Sequence, residues 1–128
     1  MKRREQALLL LAKAAQDEAL LDVVIDSATV ADEVFGFHCQ QAAEKMLKAL
    51  LSNLGEPFPR THDIAALMKH LRRIDVPLPE RFEGLDMFTP FGAFYRYEDF
   101  DSGLFVDRRA ARAMLCELRV WIDERLTD

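Results

Sequence analysis

Apolar residues recur at helical spacing along almost the whole chain, and a few prolines, glycines and polar pairs cut the pattern into segments. From about Glu5 to Val24 they fall at Leu8, Leu11, Ala12, Ala15, Ala19, Leu20 and Val23, with no glycine or proline between them. That spacing predicts a first long helix. Asp26-Ser27 breaks it. Thr29-Val30-Ala31-Asp32 reads as a capping box, with the Thr29 hydroxyl accepting from a free backbone N–H. A second helix is expected to about Leu54, with Gly55 past its end, where a left-handed residue is often needed. The stiff loop Glu56-Pro57-Phe58-Pro59-Arg60 follows. Thr61 is the expected cap of a third helix, Asp63 to about Arg73, whose apolar face is Ile64, Leu67, Met68 and Leu71. After Pro77 and Pro79, residues Phe82, Leu85, Met87 and Phe88 predict a short helix. Pro90 forces a restart, with Thr89 as cap, that continues to about Tyr97. A loop, Glu98 to Gly103, leads to a last helix from about Val106 to Leu126, with Ala111, Met114, Leu115, Leu118, Trp121 and Ile122 inward.

No segment alternates as a strand does. Long helices with short proline-bearing connections predict one all-α domain over residues 1–128. The expected form is an up-and-down antiparallel bundle of about five helices, close to a four-helix bundle.

The second helix has a divided surface. At about 100° per residue, Phe35, Cys39, Ala42, Ala43, Met46, Leu47, Ala49 and Leu50 share one side. His38, Gln41, Lys45 and Lys48 share the other, with Glu44 at its edge. The polar side can hold an anion, with ammonium groups for phosphate and His38 and Gln41 for hydrogen bonds. The bland alternative is a solvated face. Val34 and Phe37 lie on or beside it, which also fits a contact with a dimer mate or partner protein.

Composition narrows the functions. The chain has 128 residues, half of them apolar, and 17 basic against 22 acidic residues give a formal net charge of −5. A polyanion binder would therefore need a local basic patch acting against the overall field. Cys39 and Cys116 make no disulfide framework and are expected as reduced thiols in a cytoplasmic protein. No apolar run approaches the roughly 20 residues of a membrane span, and no signal peptide is read at the N-terminus. The histidines, His38, His62 and His70, lack metal-ligand spacing, so no metal site is expected. His62 reads as part of the third helix's cap and His70 as a surface residue.

Several motifs occur in order: Ala14-Ala15-Gln16-Asp17, the run Phe37-His38-Cys39-Gln40-Gln41-Ala42-Ala43-Glu44-Lys45 continuing to Leu51, Thr61-His62-Asp63-Ile64, Thr89-Pro90-Phe91, and Arg96-Tyr97. In these the chain resembles a prokaryotic HEPN (higher eukaryotes and prokaryotes nucleotide-binding) domain from about Ala7 to Leu126. The resemblance implies a helical bundle, usually a homodimer, with a nucleotide ligand such as ATP and no resident cofactor. Many such domains partner a minimal nucleotidyltransferase in toxin–antitoxin-like pairs; others are RNA-cleaving toxins. HEPN ribonucleases carry an arginine followed a few residues later by a histidine. Here Arg96 matches the arginine, but Asp101, Ser102 and Gly103 stand where the histidine should fall. An aspartate there repels phosphate and lacks the right protonation behaviour.

The expectation is therefore a non-catalytic nucleotide- or polynucleotide-binding subunit. Lys45, Lys48 and Arg96 would contact phosphate, His38 and Gln41 would donate or accept hydrogen bonds, and Tyr95 or Tyr97 would stack on a base. Against this stand a degenerate ribonuclease, a module that binds only protein, and an Arg96 paired with Glu98 or Asp99. Arg108, Arg112 and Arg119 form a second basic stripe, read as a solvated face ahead of a nucleic-acid contact.

Overall fold

A computed structural model describes residues 2–58, 60–94 and 106–126. Tyr95, Arg96 and Tyr97, and the loop after them, lie outside the described residues.

The described chain is all helical. α1 runs Lys2–Val24, α2 Asp32–Asn53 and α3 Ile64–Arg73; a 3₁₀ segment, Glu80–Phe88, leads directly into the short α4, Thr89–Phe94, and α5 runs Arg108–Leu126. α2 is the axle of the bundle and packs against every other element. Its sequence explains why. Phe35, Cys39, Ala42, Ala43, Met46, Leu47 and Ala49 are fully buried, as the periodicity predicts. Three alanines among them let neighbouring helices approach closely. α1 lies antiparallel to α2, since Ser52 near the end of α2 donates to the Arg3 carbonyl (3.1 Å) while Asp17 faces His38. α5 is antiparallel to α1 as well, with Arg109 against Asp26 at one end and Arg4 against the Leu126 carbonyl at the other. The core is completed by Leu11 and Leu21 of α1, Ile64, Leu67 and Leu71 of α3, and Leu115, Leu118 and Ile122 of α5. Phe82 meets Trp121 edge-on at 6.2 Å.

The helix ends show where local reading succeeds and fails. Past α2, Gly55 takes φ 74°. Its N–H donates to the Ser52 carbonyl (3.0 Å), and that of Glu56 reaches the Leu51 carbonyl (3.0 Å). This is the glycine-terminated C-cap the sequence predicts. At the start of α2 the Thr29 capping box does not form. The N-cap is Ala31, without a side-chain bond, and the Ser27 hydroxyl accepts from the Thr29 and Val30 N–H groups instead. α3 is capped by Asp63, whose carboxylate accepts from Ala66, and not by Thr61. A second acceptor comes from far along the chain: the Thr89 hydroxyl takes the Ile64 N–H at 3.3 Å. Thr89 itself is helical, at φ −52° and ψ −44°, despite the proline after it.

α5 starts at Arg108, and Asp107 caps it by accepting from Ala110 (3.1 Å). The Arg108, Arg112 and Arg119 stripe is neither a solvated face nor open to nucleic acid. It binds α1 and the turn after it. Arg108 donates to the carbonyls of Val24, Ser27 and Val30 and to Asp32, so it satisfies carbonyls that the end of α1 leaves open. Arg112 bonds Asp22 (2.6 Å) and Glu18 (3.3 Å). Arg119 bonds the buried Glu18 and the Leu11 carbonyl. The hydrogen bond from Arg112 holds the Asp22 carboxyl below its ordinary value and raises the arginine in turn.

Candidate functional site: the polar face of the central helix

Two buried carboxylates, Asp17 on α1 and Glu44 on α2, organise the predicted anion face. Asp17 and Glu44 are buried, and a buried carboxylate demands partners. Asp17 accepts from Lys45 Nζ at 2.6 Å, and its other oxygen lies 3.0 Å from His38 Nδ1. Glu44 accepts from Lys48 Nζ at 2.9 Å and from Gln40 Nε2 at 2.8 Å, with His62 Nδ1 at 2.8 Å. Burial pushes the Glu44 carboxyl up. The hydrogen bonds from Lys48, Gln40 and His62 and the Lys48 charge outweigh that and hold it below its ordinary value.

Gln40 links the cluster to the rest of the fold. It is fully buried. Its amide N–H groups reach Glu44 and the His62 carbonyl (2.8 Å), and its oxygen accepts from Gln41 (2.7 Å). α4 rests on it through Gly92, where a Cβ would sit 2.8 Å from the Gln40 amide carbon. The helix preceding Arg96 in sequence is thereby seated on this network.

His38, Gln41, Lys45 and Lys48 thus do share one side of α2, as read from the spacing. None is a loose surface group. Lys45 and His38 converge on Asp17, Lys48 on Glu44, and the Lys48 ammonium also stands 5.6 Å from the Phe58 ring centre. Each cation is matched by a buried anion, so the face offers directed N–H donors with little net positive charge.

Three residues of this site escape a reading of local pattern. Glu44 is central to the network and not at its edge. Gln40 is a buried connector. His62 belongs to the Glu44 cluster and not to a cap. Its imidazole is 71% exposed while its Nδ1 faces Glu44. His70 is also not a plain surface residue: its Nε2 is buried, 3.4 Å from Glu56. The Gln40-x-x-x-Glu44-x-x-x-Lys48 spacing was available as a signal, because residues four apart meet on a helix. The partners Asp17 and His62 were not.

A family model described as HEPN domain matches residues 25–120. The chain belongs to that family. No curated protein and no solved structure matched. The HEPN match takes in α2, α3, α4 and most of α5, hence Gln40, Glu44, Lys48 and His62, while α1, with Asp17, precedes it. Among the described residues no helix is long and apolar enough to cross a membrane.

Proposed function

We propose that this HEPN domain is a non-catalytic nucleotide- or polynucleotide-binding subunit that acts with a separate minimal nucleotidyltransferase, in a toxin–antitoxin-like pair. The observation that carries the binding part is the α2 face, where Lys45, Lys48, His38 and Gln41 are held in place over Asp17 and Glu44. An ammonium bonded to one carboxylate keeps two further N–H donors for a phosphate. Fixed donors favour a compact ligand such as ATP, or a short stretch of RNA, over a long polyanion that needs a net field. Arg96 would add a guanidinium and Tyr95 or Tyr97 a stacking ring. The absence of a histidine at Asp101, Ser102 and Gly103 supports the non-catalytic reading. Calorimetric titration with ATP and with a short single-stranded RNA tests it: the Lys45→Gln/Arg96→Ala double variant should lose at least tenfold in affinity. Unchanged affinity would overturn the site.

One observation favours a second reading. A buried Glu44 facing Nδ1 of an exposed His62 is the arrangement that orients a proton-transferring imidazole. In a ribonuclease, His62 would stand in for the histidine missing after Arg96. RNA fragmentation by the pure protein, lost in His62→Asn, would favour that reading over the first.

A further inference from the structure

Resting on the anion-binding reading of the α2 face, we propose that this face takes up phosphate- and sulfate-like anions together with protons, and that His38 and His62 carry those protons. Each ring has one nitrogen on a buried carboxylate. His38 Nδ1 lies 3.0 Å from Asp17 Oδ1, and His62 Nδ1 lies 2.8 Å from Glu44 Oε1. An ionised carboxylate only accepts, so in the neutral ring the hydrogen sits on Nδ1. Each Nε2 is then left as a bare lone pair. Neither Nε2 has a protein partner among the described residues, and neither is sealed off from solvent. The two outer nitrogens therefore stand ready to meet a ligand, and their protonation decides which kind.

The charge around the rings points the same way. Beside His38, Asp17 from α1 is paired with Lys45 from α2 at 2.6 Å. Beside His62, Glu44 is paired with Lys48 at 2.9 Å. Asp63, the residue after His62, accepts from the Ala66 N–H, and the Phe37 ring, 5.2 Å from that of His38, adds no charge. Each carboxylate and its ammonium cancel, so with neutral histidines neither cluster has net charge, and each turns an acceptor toward an incoming phosphate oxygen. A proton on each ring reverses both effects: the cluster becomes a net cation, and Nε2–H becomes a donor. A bound anion favours the protonated rings, and by reciprocity protonation favours the anion by the same factor. Histidine changes charge between about pH 5 and 8, so the coupling acts close to neutrality.

Sulfate and a short oligouridylate are the probes, because neither gains a proton in this range, whereas a terminal phosphate itself titrates at about pH 6. Calorimetric titrations at about pH 6 and pH 8, in buffers of different ionisation heat, should give at least about tenfold tighter binding at the lower pH and a net uptake of protons per anion bound. His38→Asn and His62→Asn, in which an amide N–H can still reach each carboxylate, should each lose part of the uptake, and the double variant should lose nearly all of it. Equal affinity at both pH values with no proton uptake overturns the coupling and leaves the binding face standing. Sulfate bound with protons, but no binding of ATP or oligouridylate, upholds the coupling and overturns the nucleotide reading. Proton uptake that survives the double asparagine variant, or no binding of any of these anions at either pH, overturns the coupling.

Discussion

His62 Nδ1 stands 2.8 Å from Glu44 Oε1, although the imidazole, just ahead of α3, is largely in solvent and the carboxylate is buried on α2. The pair ties the approach to α3 onto α2, and it places an oriented imidazole at the edge of the predicted anion face. Its energetic anchor is Glu44, which also holds Lys48 and Gln40.

Glu44 should therefore make stability acid-sensitive. Its folded-state carboxyl is held below the ordinary glutamate value of 4.5. A depressed carboxyl contributes stability that is present above its unfolded value and lost as pH falls through the folded one. Urea midpoints should hold near neutral pH and drop below about pH 4.5. In Glu44→Gln the drop should be shallower, and the neutral-pH stability lower by about 2 kcal/mol, since the charge that partners Lys48 is gone and one of the two acceptor oxygens becomes an N–H donor. A parallel acid loss in both proteins would exclude this role.

The α1–α5 clamp gives a second test. Arg119→Ala removes the donor to Glu18 and to the Leu11 carbonyl and leaves a buried carboxylate with Arg112 alone. Unfolding should become easier by about 2–4 kcal/mol. A solvated arginine would cost less than about 0.5 kcal/mol. Chemical denaturation distinguishes the two.

Gly36→Ala probes the seat of α4. A Cβ there would lie 2.6 Å from the Phe91 ring at Cγ and Cδ1, close to the backbone end of that side chain, where it cannot swing away. Alanine would gain about 1 kcal/mol of helix propensity, but overpacking costs about 1–3 kcal/mol. The expected result is net destabilisation, read as a lower melting temperature.

The two thiols should react very differently. Burial pushes the Cys39 thiol up to about 12, whereas Cys116 is exposed. A thiol-specific chromogenic reagent at pH 8 should titrate one cysteine in the folded protein and two after denaturation. Cys116→Ser should abolish the folded-state reaction.

What the sequence made legible was what neighbours along the chain decide. The apolar side of α2, the Gly55 cap and the grouping of His38, Gln41, Lys45 and Lys48 all follow from helix spacing. The arginines of α5 were misread because their carboxylates, Asp22 and Glu18, lie on α1 at the other end of the chain. Thr29 does not cap α2, which starts after Ala31 without a side-chain cap, and within the turn it is the Ser27 hydroxyl that accepts from the Thr29 and Val30 N–H groups. His62 was assigned to a cap since nothing near it in sequence announces Glu44.

The most direct test of the central claim is binding by the unaltered protein. ATP and a short single-stranded RNA should be titrated calorimetrically at several salt concentrations. Binding should saturate with a dissociation constant in the micromolar range, and the affinity should fall only gently with salt, as expected for few phosphate contacts. No binding of either ligand up to millimolar concentration would contradict it.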